Sequence, residues 1–592
     1  MELRTTDVYA DMEPRLQAAV ARHRAGARTV ATAASSPDEI GVIALVTDVD
    51  EWRAHSEVRE GVAVGETADG VIVTARLPIS RIDAIRQSPE VRSMKAAQPL
   101  RRMLSATLAD LGTDELPAGL LSVRGAGAIV GVVDYGADFA HRNFQRPDGT
   151  TRILALWDQS GPVSTTSPAG YGRRYSAAEI DAALNTNDPY MALGYEPPPD
   201  TPNEQGTHGT HVLDIAAGNG AGSGVAGVAP EADIIFVDPA FSDIAWQGAA
   251  AVDYMFGDSV QLLEALTFIF QEAGDRPCVV NLSLGTNGGP HDGTSLVEQG
   301  IDSLVGQREN RAVVIAASNS YADGIHAAGT VAEGATADLI WELAGGEGEL
   351  EVWYSGSDTF AAEVIAPGDQ SLGIVELGDN AQVVDDAGRP LLFVSHRAND
   401  PNNGDNSLGI FLDRSVPGPD WTIRLHGRSV SDGGFHAWIE RNDSAQAHFR
   451  APHDNTHTIG SIGCGGLSIV VGSYDAHKPN VPLSWFSSEG PTRDGREKPE
   501  VSAPGHEVLA AHSRTRNGVT RKSGTSMAAP AVSGLVALVL AEAAARGESL
   551  DADRIRRIVI ESARSDPPPA GSWHARYGHG RVSASGALGQ VV

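Results

Sequence analysis

Five short, unbroken apolar runs set the strongest limit on what this chain can fold into: AIVGVVD (128–134), ADIIFVD (232–238), CVVNLSL (278–284), AVVIAAS (312–318) and LSIVVGS (467–473). A strand with one face in water alternates apolar and polar residues, whereas a strand covered on both faces has no reason to. Helical patterns lie between the runs, and strands joined through helices pair in parallel. The pattern predicts a doubly wound parallel α/β sheet over residues 106–325 that resumes over 453–592. Functional groups in such sheets gather at the carboxyl ends of the strands. Asp134 closes the first run.

Two other textures flank and interrupt this one. Residues 326–452 read as an all-β insertion of eight short runs, from LIWELAG to FHAWIER, separated by Gly, Asp, Asn and Pro. Alternation as in Leu350, Val352 and Tyr354 predicts a β-sandwich or jelly roll, with Trp341, Trp353, Trp421 and Trp438 in its core rather than forming a sugar platform. Residues 1–105 open with a helical pattern from Met12 to Arg24. There follow an apolar run at 41–46, runs near 62–64 and 71–77, a helix starting at Pro78 with Ile79, Ile82 and Ile85 on one face, and a strand at 91–94. The order strand–helix–strand–strand–helix–strand predicts a small ferredoxin-like unit.

Composition narrows the function. The 592 residues carry 76 Asp+Glu against 45 Lys+Arg, a net charge of −31. Nucleic acids and anionic membrane surfaces require a cationic face, so neither is expected as a partner. The two cysteines, Cys278 and Cys464, are too few for a disulfide framework and lack zinc-site clustering. The N-terminal segment has no cationic stretch followed by an apolar run, and apolar stretches such as GLVALVLAEAAA near 534–545 fall short of the roughly 20 residues of a membrane span. The expectation is a soluble, cytoplasmic protein whose oligomeric state the sequence leaves open; export by another route is not excluded by composition.

Three separated motifs supply what a nucleophilic hydrolase needs. GVVDYGADFAHRNF carries Asp134, NEQGTHGTHVLDIAAG carries His208 at a helix start, and KSGTSMAAPAVSGLVALV carries Ser526 at the start of a long apolar helix. A serine hydroxyl becomes a competent nucleophile when an imidazole removes its proton, and the imidazole needs a carboxylate on its other nitrogen. Asn319, at the end of AVVIAASN, offers a carboxamide donor for the oxyanion of a tetrahedral intermediate. Taken singly, Asp134 reads as a strand-end turn residue, and His208 and Ser526 as helix caps. Together they are poorly explained that way. His211 reads as structural.

With VVDYG, HGTHV and GTSMAAP in the order Asp, His, Ser, the chain resembles the subtilisin-like serine peptidases. NLSLG (281–285), GVAP (227–230), FSSEGPTRDGREKPEVSAPG (486–505) and the ending YGHGRVSASGAL extend the match. DFAHRNFQRPDGTTRILALWDQ, GPHDGTSLVEQGID and the β insertion resemble the clostridial germination-type, Csp-like branch. The resemblance implies a serine endopeptidase acting on protein or peptide substrates, with Ser283, Leu284 and Gly285 pairing with substrate backbone and Ala316, Ala317 and Ser318 lining the site. It also implies that residues 1–105 are an inhibitory prodomain whose tail lies through the active site, with autoprocessing near Met103–Leu104. The alternative is a pseudopeptidase that uses the same cleft to bind a partner. Ser318 stands where the family usually has Gly, and Leu213–Asp214 where it often has a small pair. No cofactor or metal is required: the stretch 217–230, where relatives bind structural calcium, is glycine-rich and poor in carboxylates, so calcium there lacks support. Cys278 and Cys464 read as small core or turn residues.

Overall fold

The structure, a computed structural model, describes residues 4–5, 12–26, 36, 38–97, 99–102, 123–199, 207–240, 256–345, 347–416, 418–442, 445–567 and 571–591. Its centre is an eight-stranded sheet in the order Val501–Pro504, Ile469–Tyr474, Arg311–Ala316, Cys278–Leu282, Ile129–Val133, Asp233–Asp238, Ile153–Asp158 and Arg173–Ser176. Every pairing is parallel except the last, which is antiparallel. The five apolar runs form five adjacent strands in the middle of this sheet. Alternate residues of one strand enter different cores. Ile129 and Val133 pack with the helices Ser259–Ala273 and Leu296–Gly306, while Val130 and Val132 pack with His208–Ala217 and Thr525–Ala545. Coverage on both faces is the physical reason the runs are continuous.

Two runs end earlier than their apolar patterns suggest. CVVNLSL leaves the sheet at Leu282, and Leu284–Gly285 pairs elsewhere; AVVIAAS leaves at Ala316. The apolar stretch near 534–545 is also longer than its pattern: Thr525–Ala545 is one 21-residue helix, long and apolar enough to cross a membrane. Small residues at its start hide that length, but 94% of its apolar window is buried inside the protein, as befits a core helix. Gly534 allows it to cross the His208–Ala217 helix closely, since a Cβ there would lie 2.7 Å from Ala216 O and 2.5 Å from Val228 Cβ.

The N-terminal region forms a four-stranded antiparallel sheet in the order Arg59–Thr67, Gly70–Pro78, Glu39–Val46, Val91–Ala96. The helix expected from Pro78 begins as a 3-10 turn, Ile79–Arg81, and becomes α-helical only over Ile82–Arg86. One face of the sheet shares a core with Ser259–Ala273 and Leu296–Gly306. At its centre Arg76 is buried against Glu264, with Nη2 donating to Oε2 at 2.9 Å and Thr74 Oγ1 donating to Oε1 at 2.7 Å.

The β insertion consists of antiparallel strands from His326–Thr330 to His448–Ala451, six of them in a seven-stranded sheet and five in a second sheet, the two sharing one core. Arg4–Thr5 from the N-terminus pairs with Asn380–Val384 at the edge of the larger sheet. Three strands escaped the sequence pattern: His326–Thr330, Asn380–Val384 and His448–Ala451. All four expected tryptophans are buried, Trp341 and Trp421 in the shared core and Trp353 and Trp438 in a separate cluster with Ile325. The helix Pro14–Arg24 ties the N-terminal region to the insertion: buried Arg15 meets Glu349 at 2.5 Å, Glu351 at 2.7 Å and Glu440 at 3.2 Å.

Three parallel strands deliver acids to one end of the central sheet: Asp134 just past Ile129–Val133, Asp158 ending its strand, and Asp238 ending its own. Asp238 Oδ1 accepts from Gly136 N–H at 3.2 Å and Oδ2 from Tyr195 O–H at 2.6 Å, bracing the turn after Asp134. Burial first, and then the charge of Asp158, push the Asp238 carboxyl up to about 7.

Two outcomes follow from these buried charges. Glu264→Leu, which strands the Arg76 guanidinium, lowers stability by about 3–5 kcal/mol, and adding Arg76→Leu recovers most of it; melting temperatures of the single and double variants check this. Folded Asp238 holds a proton that the unfolded chain releases above pH about 4. Its stabilising contribution is therefore complete below that pH and is lost as pH rises through about 7. The melting temperature of the wild type should fall relative to Asp238→Asn across that window.

Candidate active site

The carboxyl ends of three neighbouring strands build the site. Asp134 follows Val133, Ser283 follows Leu282, and Asn319 lies three residues beyond Ala316; in the sheet Leu282 pairs with both Val133 and Ile315. Register alone therefore brings these positions side by side. Asp134 is buried, and its N–H donates to Val237 O at 3.1 Å. Its Oδ1 accepts from Tyr135 N–H at 2.7 Å and stands 2.7 Å from His208 Nδ1.

His208 opens the helix His208–Ala217 and is fully buried. The next residue must be small: a Cβ on Gly209 would lie 2.7 Å from Phe236 Cζ and 2.9 Å from Gly136 O. Gly209 N–H donates to Tyr135 O at 2.7 Å, and Thr210 Oγ1 donates to Gly136 O at 3.1 Å while accepting from Asp138 N–H at 2.8 Å. The HGT triplet thus clamps the helix start onto the turn that carries Asp134. With Nδ1 committed to the carboxylate, Nε2 is the ring's remaining basic atom.

Ser526 is the second residue of the buried Thr525–Ala545 helix. Its Oγ donates to Ser283 O at 3.3 Å, and Ser283 Oγ donates back to Ser526 O at 2.8 Å. Asn319 Oδ1 accepts from Thr525 N–H at 2.9 Å and Thr525 Oγ1 at 3.0 Å. That pair fixes the amide plane and makes Nδ2 the outward donor. The sequence motif contains Thr525 but gives no sign of this orienting role.

Leu284–Gly285 pairs antiparallel with Pro99–Arg102, Leu284 opposite Arg102 and Gly285 opposite Arg101. Phe256–Asp258 pairs with the other edge of the same segment. A stretch of the chain's own N-terminal region thus lies as the middle strand of a three-stranded sheet beside Ser283. Sequence reasoning missed Phe256–Asp258, which has no apolar alternation. The Met103–Leu104 bond lies outside the described residues.

The wall Ala316–Ala317–Ser318 is buried and pinned by backbone bonds: Ala317 N–H to Val471 O at 3.1 Å, Gly460 N–H to Ala317 O at 3.1 Å, and Ser488 N–H to Ser318 O at 3.1 Å. Ser318 has φ of +92°, a conformation that favours glycine, which gives a physical reason for the glycine usual at this position. Asp214 is accommodated: Oδ1 accepts from Asn143 Nδ2 and Oδ2 from Ala511 N–H, both at 2.7 Å, and burial pushes its carboxyl up to about 6. Burial pushes the His211 imidazole down to about 3, and its Nε2 faces Val508 O and Thr520 O at 3.1 and 3.2 Å. Cys278 and Cys464 are buried free thiols, with Cys278 pushed up to about 12 by burial. Around 217–230, the Arg152 guanidinium donates to the carbonyls of Asn143 (2.8 Å), Pro230 (2.9 Å), Ala232 (2.7 Å) and Ala217, so the chain supplies its own cation to that oxygen cluster.

Comparison with known proteins identifies the family. Residues 125–389 and 432–580, well over half of the chain, match the model of the subtilase family, Peptidase S8. The solved structure of the CspB protease of Clostridium perfringens superposes with a TM-score of 0.65 at 26% identity, over 79% of this chain and 95% of that one. Pyrolysin of Pyrococcus furiosus is 26% identical over 299 residues, 45% of this chain and 21% of pyrolysin. A PII-type proteinase of Lacticaseibacillus paracasei is 25% identical over 462 residues, 70% of this chain and 22% of that proteinase. The matches thus span about a fifth of the length of these two proteinases. A sheet whose strand ends gather an acid, an imidazole, a serine and a carboxamide, together with a family model matched on both sides of the insertion, leads to one assignment: the chain belongs to the subtilase family, the subtilisin-like serine peptidases.

Proposed function

We propose that this protein is a serine endopeptidase that cleaves extended segments of protein substrates through an acyl-enzyme on Ser526. The observation that carries the reading is the buried 2.7 Å contact between His208 Nδ1 and Asp134 Oδ1, at the strand ends that also hold Ser283 and Asn319. In this reading His208 Nε2 takes the Ser526 proton as Oγ attacks the scissile carbonyl, and Asp134 stabilises the imidazolium. Asn319 Nδ2 and the Ser526 N–H hold the oxyanion. The imidazolium then protonates the leaving amine, and water hydrolyses the ester by the same steps reversed.

Substrate backbone would pair with Ser283–Leu284–Gly285 on one side and Phe256–Asp258 on the other, which tolerates many sequences because main-chain bonds supply the affinity. The pairing of Pro99–Arg102 with both strands supports the reading of residues 1–105 as a prodomain with a ferredoxin-like sheet, held in the cleft. The antiparallel register, Arg102 opposite Leu284 and Arg101 opposite Gly285, runs this segment along the strand that follows Ser283 toward Met103, which supports autoprocessing near Met103–Leu104. The insertion over 326–452, read as a jelly-roll-like domain, serves as a clamp: Glu440 meets Arg15 at 3.2 Å and accepts from Asn287 N–H at 2.8 Å, joining prodomain, insertion and catalytic domain.

Hydrolysis of a quenched-fluorescence protein substrate tests the reading. Ser526→Ala abolishes turnover, and Asn319→Ala lowers kcat by about 10²–10³ with little change in KM; undiminished turnover in Ser526→Ala refutes the proposal. Intact mass tests autoprocessing separately. The wild type should split after Met103 and Ser526→Ala should not, whereas identical masses remove that step.

A further inference from the structure

The β insertion leaves and rejoins the central fold beside a group of histidines that the hydrolytic site does not use. His326 begins the first strand of the insertion, His436 lies on Gly434–Ile439, and His457 follows the last strand. In the antiparallel pairing His326 stands opposite Trp438, and His436 two residues away shares that face. His326 and His436 have ring centres 5.2 Å apart, as do His326 and His457, and His436 and His457 are 4.8 Å apart. One nitrogen from each ring lies within 4.8 Å of the other two. His326 is buried, while His436 and His457 are partly exposed and leave a path from solvent.

The hydrogen bonds around the group fix which nitrogens face inward. Asp454 Oδ1 accepts from His326 Nδ1–H at 2.9 Å, from Thr456 N–H at 2.9 Å and from Thr456 Oγ1–H at 2.6 Å. With its one proton given to Asp454, the Thr456 hydroxyl can only accept from His457 Nδ1–H, 2.7 Å away. One carboxylate thereby sets the tautomers of two imidazoles and leaves a lone pair on Nε2 of each. His436 Nδ1 lies 3.0 Å from His326 Nε2. Its ring is stacked on Trp438 at 12°, and Trp438 Nε1 donates to His457 O at 2.8 Å. Imidazoles oriented by a carboxylate on the outer nitrogen are the usual surroundings of a bound transition metal.

We propose that His326, His436 and His457, oriented by Asp454, Thr456 and Trp438, bind one zinc-class divalent ion. Three imidazole nitrogens suit zinc, with nitrogen–metal distances of about 2.0–2.1 Å. Tetrahedral ligands at that distance are about 3.4 Å apart, so the His326–His436 pair, 3.0 Å apart, opens slightly and the wider separations, up to 4.8 Å, close as His436 moves its shared proton to its outer nitrogen. The site would pin the base of the insertion to the catalytic domain, because three residues past His457 the Gly460 N–H donates to Ala317 O at 3.1 Å.

The test uses the full-length protein stripped with a chelator and titrated with zinc, with cobalt(II) as a spectroscopic probe. One equivalent of zinc should bind and raise the melting temperature by about 3 °C or more, and cobalt(II) should give the visible bands of a four-coordinate site. Asp454→Asn should weaken zinc about 10–100-fold, and the His436→Asn/His457→Asn pair should lose both the zinc and the cobalt bands. His579→Asn, a histidine paired with Glu497 away from the cluster, should change neither. Circular dichroism of each variant separates misfolding from lost ligands. Failure of the wild type to take up zinc, or unaltered uptake and cobalt bands in the folded double variant, would overturn the proposal and leave a hydrogen-bonded histidine network.

Discussion

The contact between Asp134 and His208 is the constraint around which the rest of the molecule is arranged. It requires a helix start to descend onto a strand end until an imidazole nitrogen and a carboxylate oxygen are 2.7 Å apart with both groups buried. A side chain at Gly209 would hold the helix off. The strand end itself is set by the pairing of Asp134 N–H with Val237 O, and behind it by Asp238 and Tyr195 on the turn. Parallel register then fixes the other partners, because neighbouring strands that end level must deliver Ser283 and the Asn319 segment to the same edge. Local preorganisation of this kind costs nothing at the moment of reaction, which is why it is effective in hydrolases.

Around that centre, three regions are joined by buried charges rather than by apolar contact alone. Arg76 with Glu264 locks the N-terminal sheet to the Ser259–Ala273 helix of the central fold, and Arg15 with Glu440 joins the N-terminal helix to the insertion and to the loop at Asn287. Buried ion pairs add little net stability over apolar packing, but breaking one is costly, so they select a single docking geometry. That geometry carries Pro99–Arg102 between Phe256–Asp258 and Leu284–Gly285.

Much of the central sheet was legible in the sequence because strands buried on both faces leave an unmistakable signal. Even there the pattern overran: Leu284 is as apolar as Leu282, and nothing in the run shows that the chain turns at Ser283 to leave the sheet. Phe256–Asp258 is three residues of mixed character whose pairing partner lies far away in sequence, so no local period could reveal it. The insertion was readable as β where alternation was clear, but not at His326–Thr330 or His448–Ala451, which are short and mixed in polarity. Among the candidate site residues, their chemistry was readable from residue type and motif, whereas the level strand ends and the Thr525–Asn319 contact are facts of three dimensions. His326, His436 and His457 are spaced too widely to form a recognisable ligand motif; only the folding of the insertion brings them together.

In the proposed mechanism Ser526 is the nucleophile that His208 and Asp134 activate. Reaction of the protein with a fluorophosphonate probe, followed by peptide mapping of the adduct, tests it most directly. The account predicts a single covalent adduct on Ser526 in the wild type, sharply reduced when His208 is replaced by Ala. An adduct on a different serine, or equal labelling of a Ser526→Ala variant, would contradict it.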